Sequence, residues 1–303
     1  MCCLFGFVDY RGSLTQQQRN LLSSALATAS EARGTDATGI AYNFHGKLRI
    51  YKRPWPGRFM RFQIPKEARA VMGHSRMATQ GNYRRNYNNH PFPGEAGGMA
   101  FALAHNGVLY NDGLLRRKLS LSKTRIATDS YIAVQLIEQK KALTPDSLQF
   151  MAEQVRGSFT FTILDESNSL YIVKGDSPFC LYHYPRQGLY IYCSTEELLE
   201  AALTGLGWWL ERPEWIPLRH GDILQINSQG GLKWERFQVS DEWSSNQPYR
   251  WQESLSMPDE TPYLDALKSV AGAFGFLPEE IENLYRNGFP LEEIEDFLYS
   301  RKI

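Results

Sequence analysis

The sequence predicts an α+β fold, sheets packed with helices, followed by a small all-α tail. Three observations predict it. Short apolar runs bounded by turn-like clusters recur over residues 4–74 and again over 158–237, the pattern of strands. Two stretches with helical spacing lie between them, over 130–140 and from 144 onward. Past residue 261 the spacing becomes wholly helical. Mixed strands, two helices and a strand meander make a chain of layered sheets and helices.

Each element has a local reason. Residues 4–8 are a continuous apolar run, a short buried strand. Residues 16–32 form a helix with Leu21, Leu22, Ala25, Leu26 and Ala29 on one face and Gly34 at its stop. Residues 39–43 and 47–52 pair as a hairpin around His45-Gly46, and 68–74 is a further strand. Residues 81–98 are rich in Asn, Gly, Pro and Tyr and are expected to be a long, functional loop. Residues 101–105 are strand-like. Asp129 or Thr128 is the expected N-cap of the 130–140 helix. Thr144-Pro145 opens the next helix, a cap followed by proline at the first helical position. Strands follow at 159–164, 170–173, 179–184 and 189–194, then a short helix at 195–203 and a hairpin of 223–226 with 232–237.

Residues 239–261 are polar, with two prolines and little periodicity, and read as a linker. In 262–303, Leu264, Leu267, Val270 and Phe274 have helical spacing. Leu277-Pro278-Glu279-Glu280-Ile281 and Pro290-Leu291-Glu292-Glu293-Ile294 each open a helix with acids where the dipole favours them. The expected division is therefore a main domain over 1–238, a linker over 239–261 and a helical tail over 262–303.

Composition excludes several functions. Lys and Arg total 33 and Asp and Glu total 33, which argues against a dedicated nucleic-acid binder. A hydrophobic fraction of 43% is enough for a packed core and excludes wholesale disorder. No run approaches the roughly 18 apolar residues of a membrane-spanning helix. The first nine residues lack a basic lead, so no secretory signal is expected. The cysteines are Cys2, Cys3, Cys180 and Cys193, with no CxxC pair, so free thiols in the cytoplasm are expected.

Cys2 carries the first chemical signal. If Met1 is removed, one residue holds both a thiol nucleophile and an α-amine whose ordinary pKa of about 7.7–8.0 suits a general base. Around it the chain carries Met1-Cys2-x-x-Phe5-Gly6, Arg33-Gly34-Thr35-Asp36-Ala37-Thr38-Gly39-Ile40 and Gly73-His74-Ser75-Arg76-Met77-Ala78-Thr79-Gln80-Gly81. Asn88-Asn89-His90-Pro91-Phe92, His105-Asn106-Gly107-Val108-Leu109-Tyr110-Asn111 and Thr128-Asp129-Ser130 follow in order. This set resembles the class II glutamine amidotransferases over roughly residues 2–230. Gly157-Ser158-Phe159, Tyr192-Cys193-Ser194-Thr195-Glu196 and His220-Gly221-Asp222 match the family's later strands, short helix and final turn.

The resemblance implies a four-layer αββα sandwich of the N-terminal-nucleophile (Ntn) hydrolase type, and an enzyme that hydrolyses L-glutamine to glutamate and ammonia. It implies Cys2 as nucleophile, with Asn106 and the Gly107 N–H as oxyanion hole. It implies Arg76 gripping the α-carboxylate and Asp129 the α-ammonium of glutamine. Thr79 and His90 fall where the family lines its pocket, and Arg33 where it braces the nucleophile. These types suit the chemistry: a bidentate cation for a carboxylate, fixed donors for a tetrahedral oxyanion. Singly, each has a plainer structural reading: Arg76 a strand-end surface arginine, Asp129 a helix cap, Asn106-Gly107 a type I′ turn. His74, His90 and His105 lack His-x-x-x-His spacing, so no metal and no cofactor is expected.

Two positions depart from the family. Cys3 stands where glycine is usual, which could crowd the strand start. Met77 stands where an aromatic residue is common. The acceptor side is open: after residue 238 there is no P-loop and no GxGxxG. A separate acceptor or synthase subunit, or self-association through the C-terminal helices, is the expected partnership, with a helical cap on the sandwich as the alternative for the tail. An amidohydrolase for another amide and a non-catalytic glutamine-binding scaffold are the competing functions.

Overall fold

β1 (Cys3–Asp9) shows how the sequence builds the layers. Side chains along a strand alternate between faces. Cys3, Phe5 and Phe7 point to one side, among Leu22, Leu26 and Ala27 of α1 (Gln16–Ala29) and Leu199 and Ala202 of α5 (Glu196–Thr204). Leu4 and Val8 point to the other, among Ala102 and Ala104 of β6 (Met99–Leu109), Leu164 of β7 (Gly157–Asp165) and Ile172 of β8 (Leu170–Lys174). With both faces covered, the strand is apolar throughout instead of alternating. The computed structural model describes residues 2–207, 212–239, 261–286, 289 and 291–300.

Two antiparallel sheets result. The first orders β11 (Glu214–Trp215), β9 (Cys180–Tyr184), β10 (Leu189–Cys193), β1, β4 (Ala70–Arg76), β2 (Ala37–Phe44) and β3 (Lys47–Arg53). The second orders β13 (Leu232–Arg236), β12 (Asp222–Ile226), β8, β7, β6 and β5 (Phe92–Ala96). On the outer face of the second sheet, Leu103, Phe161 and Ile163 pack with Ile132 and Leu136 of α3 (Tyr131–Gln139) and Leu148 and Met151 of α4 (Pro145–Gln154). The layers run α, β, β, α, the expected sandwich. Each buried Leu, Ile or Phe in them is worth about 1.5–3 kcal/mol relative to exposure.

Helix starts follow the expected chemistry. Thr15 and Gln18 form a capping box at α1, and Thr144 with Ser147 does the same at α4, with Pro145 leading that helix. Asp9 ties the end of β1 to α1: Arg19 donates to its Oδ2 at 2.5 Å, while the Ser13 and Leu14 N–H groups donate at 2.8 and 3.1 Å. Both side chains of this ion pair are fully buried.

The structure departs from the local sequence readings at four places. The 81–98 segment is not all loop, since β5 pairs with β6 from Phe92↔Leu103 to Ala96↔Met99. Asn106-Gly107 is no turn; it lies inside the long strand β6, opposite Thr160 and Phe159. Neither Thr128 nor Asp129 caps α3: Ser130 holds the cap position, without a side-chain bond, and Asp129 turns to β6 instead. A short helix, α2 (Asp112–Lys118), follows β6 with its bases in the last turn.

The tail forms α6 (Thr261–Ala271), α7 (Pro278–Arg286) and α8 (Leu291–Ser300). Their apolar residues Tyr263, Leu267, Ile281, Ile294 and Leu298 gather on Val108, next to Gly107. The Tyr263 ring also stacks on Tyr110, 6.2 Å between centroids. The expected linker falls, from 240 to 260, outside the described residues.

Candidate active site

The antiparallel register brings the site together. β1 begins where β4 ends, with Cys3 opposite Ser75, so Cys2 lies beside Arg76. β2 begins at the same edge, Ala37 opposite Arg76. The Cys2 thiol donates to the Met77 carbonyl at 3.4 Å, and Arg33 Nε donates to the Cys2 carbonyl at 3.0 Å. Gly34 is required here: a Cβ on it would sit 2.5 Å from the Arg76 backbone. Arg33 therefore braces the Cys2 backbone.

Arg76 is buried, with NH1 donating to Asn89 Oδ1 at 2.7 Å and NH2 to the Gly81 carbonyl at 3.2 Å and to the Gln80 carbonyl. Asp129 is equally buried; its Oδ2 accepts the Leu109 N–H at 2.7 Å and its Oδ1 the Ser130 hydroxyl at 3.3 Å. Neither is the surface or capping residue its plainer reading would make it. No carboxylate forms an ion pair with Arg76 among the described residues.

Electrostatics join these groups. Burial pushes the Cys2 thiol above its ordinary range; the bond to Met77 and the charge of Arg76 oppose this, and the charge of Asp129 adds to it. Burial also raises the Asp129 carboxyl, against the pull of the Leu109 N–H, Ser130 and Arg76. The two opposite charges thus both act on the thiol.

β6 of the second sheet supplies Asn106 and Gly107. Asn106 Nδ2 lies 3.3 Å from Ser194 Oγ, and the same hydroxyl oxygen accepts the Leu4 N–H at 2.8 Å. Ser194 therefore links β1 to Asn106. Asn106 Oδ1 is buried without a partner. Gly107 has φ +133°, and a Cβ there would lie 2.0 Å from the Ser158 carbonyl oxygen, so only glycine fits.

Thr79 sits on the loop after β4, its carbonyl accepting the Ser269 hydroxyl of α6 at 3.4 Å. His90 lies deeper, its ring centroid 4.2 Å from His74 and 4.3 Å from Phe92, with neither ring nitrogen hydrogen-bonded. Burial pushes His90 well below its ordinary pKa, and His74 and His105 down to about 3. All three rings are neutral at pH 7. Among the described residues, no group of three His, Cys, Asp or Glu could hold a metal ion.

The departures are accommodated. Cys3 points away from the sheet interface, its Sγ 3.6 Å from Cys193 Sγ, so it does not crowd Cys2. Met77 contributes its carbonyl to the thiol. Sequence reasoning missed three supporting residues. Asp36 accepts the Ala78 N–H at 2.8 Å and holds the loop after β4. Asn89 anchors Arg76, and Ser194 anchors Asn106. All three lie in the quoted motifs; what was missing was a contact across the fold.

Comparison with known proteins finds a shared domain. Residues 74–201 match the family model of the glutamine amidotransferase domain. The chain is 28% identical over 186 residues to glutamine–fructose-6-phosphate aminotransferase of Listeria innocua, covering 59% of this chain and 29% of that one. It is 31% identical over 183 residues to the enzyme of the same name from Bacillus licheniformis, covering 57% and 29%. The chain thus spans less than a third of the length of these relatives. The glutamine phosphoribosylpyrophosphate amidotransferase structure from B. subtilis superposes with a TM-score of 0.62 at 21% identity, covering 79% of this chain and 50% of that one, a likeness of fold. Over residues 74–201 the chain thus matches a glutamine amidotransferase domain, and its fold is similar to that of the B. subtilis amidotransferase.

Proposed function

We propose that this protein hydrolyses L-glutamine to glutamate and ammonia at Cys2 and delivers the ammonia to a separate acceptor protein. The observation that carries this is the pairing of Arg76 and Asp129, two buried side chains of opposite charge: Arg76 lies beside Cys2 where β4 ends, and Asp129 is bonded to the Leu109 N–H two residues past Gly107. Such a pair suits the carboxylate and ammonium of a free amino acid. An amide without that zwitterion would offer neither buried charge a counter-charge, which is costly.

In this reading removal of Met1 frees the α-amine of Cys2. The amine takes the thiol proton as sulfur attacks the side-chain carboxamide carbon of glutamine. The negative charge that develops on the carboxamide oxygen falls to Asn106 and the Gly107 N–H. The Ser194 hydroxyl, already accepting from Leu4, can donate to Asn106 Oδ1 once that amide turns over, which aims Nδ2 at the oxyanion. The ammonium form of Cys2 then returns its proton to the departing nitrogen, ammonia leaves, and water cleaves the thioester to give glutamate. Arg33 holds the Cys2 carbonyl throughout.

The test is glutamate release from glutamine by the purified chain, with Cys2→Ala as the paired variant. Loss of release with an unchanged circular dichroism spectrum supports the mechanism. Equal release by Cys2→Ala would overturn it. Intact mass spectrometry must show Met1 removed, because a quantitatively retained Met1 leaves no free amine on Cys2. Turnover of other amides in preference to glutamine would favour the broader amidohydrolase, and glutamine binding without turnover the scaffold.

A further inference from the structure

A second concave site lies along β3, the strand that carries Lys52. β3, the 86–87 turn, β5 and residues 124–126 line an open cleft of about 480 Å³, with Lys52, Arg53, Tyr87, Arg125 and Tyr131 among its walls. Three of its lining residues are cations, and none is an acid. Among the described residues no carboxylate pairs with Lys52, Arg53 or Arg125. The chain as a whole has equal numbers of acids and bases, so three unpaired cations in one concavity are a local arrangement.

The cations are held in place by other means. Lys52 Nζ donates to the carbonyls of Asn89 and Pro91 at 2.5 and 2.9 Å, which leaves one N–H free. Burial and the neighbouring charge of Arg76 push Lys52 down to about 8, the state of an ammonium lacking an anion. The Arg53 guanidinium lies 4.7 Å from the Tyr51 ring centroid and that of Arg125 4.8 Å from the Tyr87 centroid. Ring contacts fix a guanidinium without neutralising it and leave its fork of donors available.

We propose that this cavity binds a small phosphate ester, and that its occupancy changes the affinity of the glutamine site. Two guanidinium forks and an ammonium suit a dianion better than a single carboxylate. The cavity falls within the roughly 300–1,000 Å³ of small-molecule sites and exceeds what a bare phosphate fills. Tyr87, Tyr131 and the apolar Ile50 and Ile126 give the organic part a wall. The coupling runs over two bonds: Lys52 to the Asn89 carbonyl, and the Asn89 side chain to Arg76. A phosphate that draws Lys52 toward it loads or releases Asn89, and with it the guanidinium proposed to grip glutamine.

The experiment is isothermal titration of the full chain with glycerol 3-phosphate at fixed ionic strength, against chloride and glycerol as controls. Saturable one-site binding by the ester, weakened at least tenfold in Arg53→Gln/Arg125→Gln, is expected; this variant touches nothing at Cys2. No binding beyond the chloride control, or equal binding by the variant, overturns the site. The coupling is read as the glutamine dissociation constant in Cys2→Ala protein with and without the ester, at least a twofold change being expected. Binding effects between two sites are reciprocal, so glutamine must shift ester affinity by the same factor. An unchanged constant overturns the coupling. The coupling rests on the glutamine reading above: if glutamine does not bind at all, that reading fails while ester binding is still measured.

Discussion

Acidification offers the sharpest test of the buried histidine stack behind the site. His105 lies one residue before Asn106; its Nε2 is 3.3 Å from the Ser158 carbonyl and its Nδ1 2.8 Å from Ser130 Oγ. Burial holds the folded pKa at about 3 against an ordinary 6.5. A base whose folded pKa is depressed stabilises the fold fully above the unfolded value and loses that contribution as pH falls from 6.5 toward 3. Between pH 7 and pH 5 the unfolded imidazole becomes almost fully charged while the folded one stays neutral, which costs about 2 kcal/mol. His74 follows the same course, and His90 changes in the same direction. Buried carboxyls such as Asp129 are raised and act with the opposite sign, but they do so in wild type and variant alike. The perturbation is therefore His105→Gln, and the assay is urea unfolding at pH 7 and pH 5 followed by tryptophan fluorescence. The variant should lose about 2 kcal/mol less stability than wild type between the two pH values. Equal losses would refute the assignment of a buried neutral ring.

Other outcomes follow from the same geometry. Arg76→Lys removes the planar fork and should raise the KM for glutamine roughly 30-fold, the scale of one charge-assisted hydrogen bond, with a smaller change in kcat. Asn106→Ala should instead lower kcat about 10²–10³-fold, as for other oxyanion donors, and leave KM nearly unchanged. Arg19→Ala strands the buried carboxylate of Asp9 and should cost about 3–5 kcal/mol in urea unfolding. Truncation before residue 262 uncovers Val108 and Tyr110 of the segment that follows Gly107; thermal unfolding should shift down by about 2 kcal/mol equivalent, and an unchanged midpoint would show that the tail is not part of the core.

Much of the site was legible because it is carried by short motifs. Gly34, Arg76, Asn106-Gly107 and Asp129 each sit in a run whose residue types match one chemical need. The plainer reading of each fails on burial and register, which no local pattern reports. Asp129 has the composition of a helix cap, yet the Leu109 N–H claims its carboxylate across 20 positions of chain. Asn-Gly is a strong turn signal, yet β7 pairs straight through it. The 81–98 segment looked like loop because Pro93 and Gly94 interrupt it, although an edge strand tolerates both.

By itself, the sequence determined the layers and named the candidate groups. Apolar runs buried on both faces demand a covered sheet, and a cysteine at position 2, with separate arginine, asparagine and aspartate motifs, supplies the groups that the proposed chemistry needs. Tertiary structure alone decided which of those groups meet. The antiparallel pairing of β1 with β4 puts Cys2 beside Arg76, Ser194 joins the nucleophile strand to Asn106 of the opposite sheet, and Asn89 ties Arg76 toward Lys52 and a second cavity. These contacts join residues far apart in the chain. Their energies depend on burial and on distances of about 3 Å, quantities that exist only once the sheets have packed.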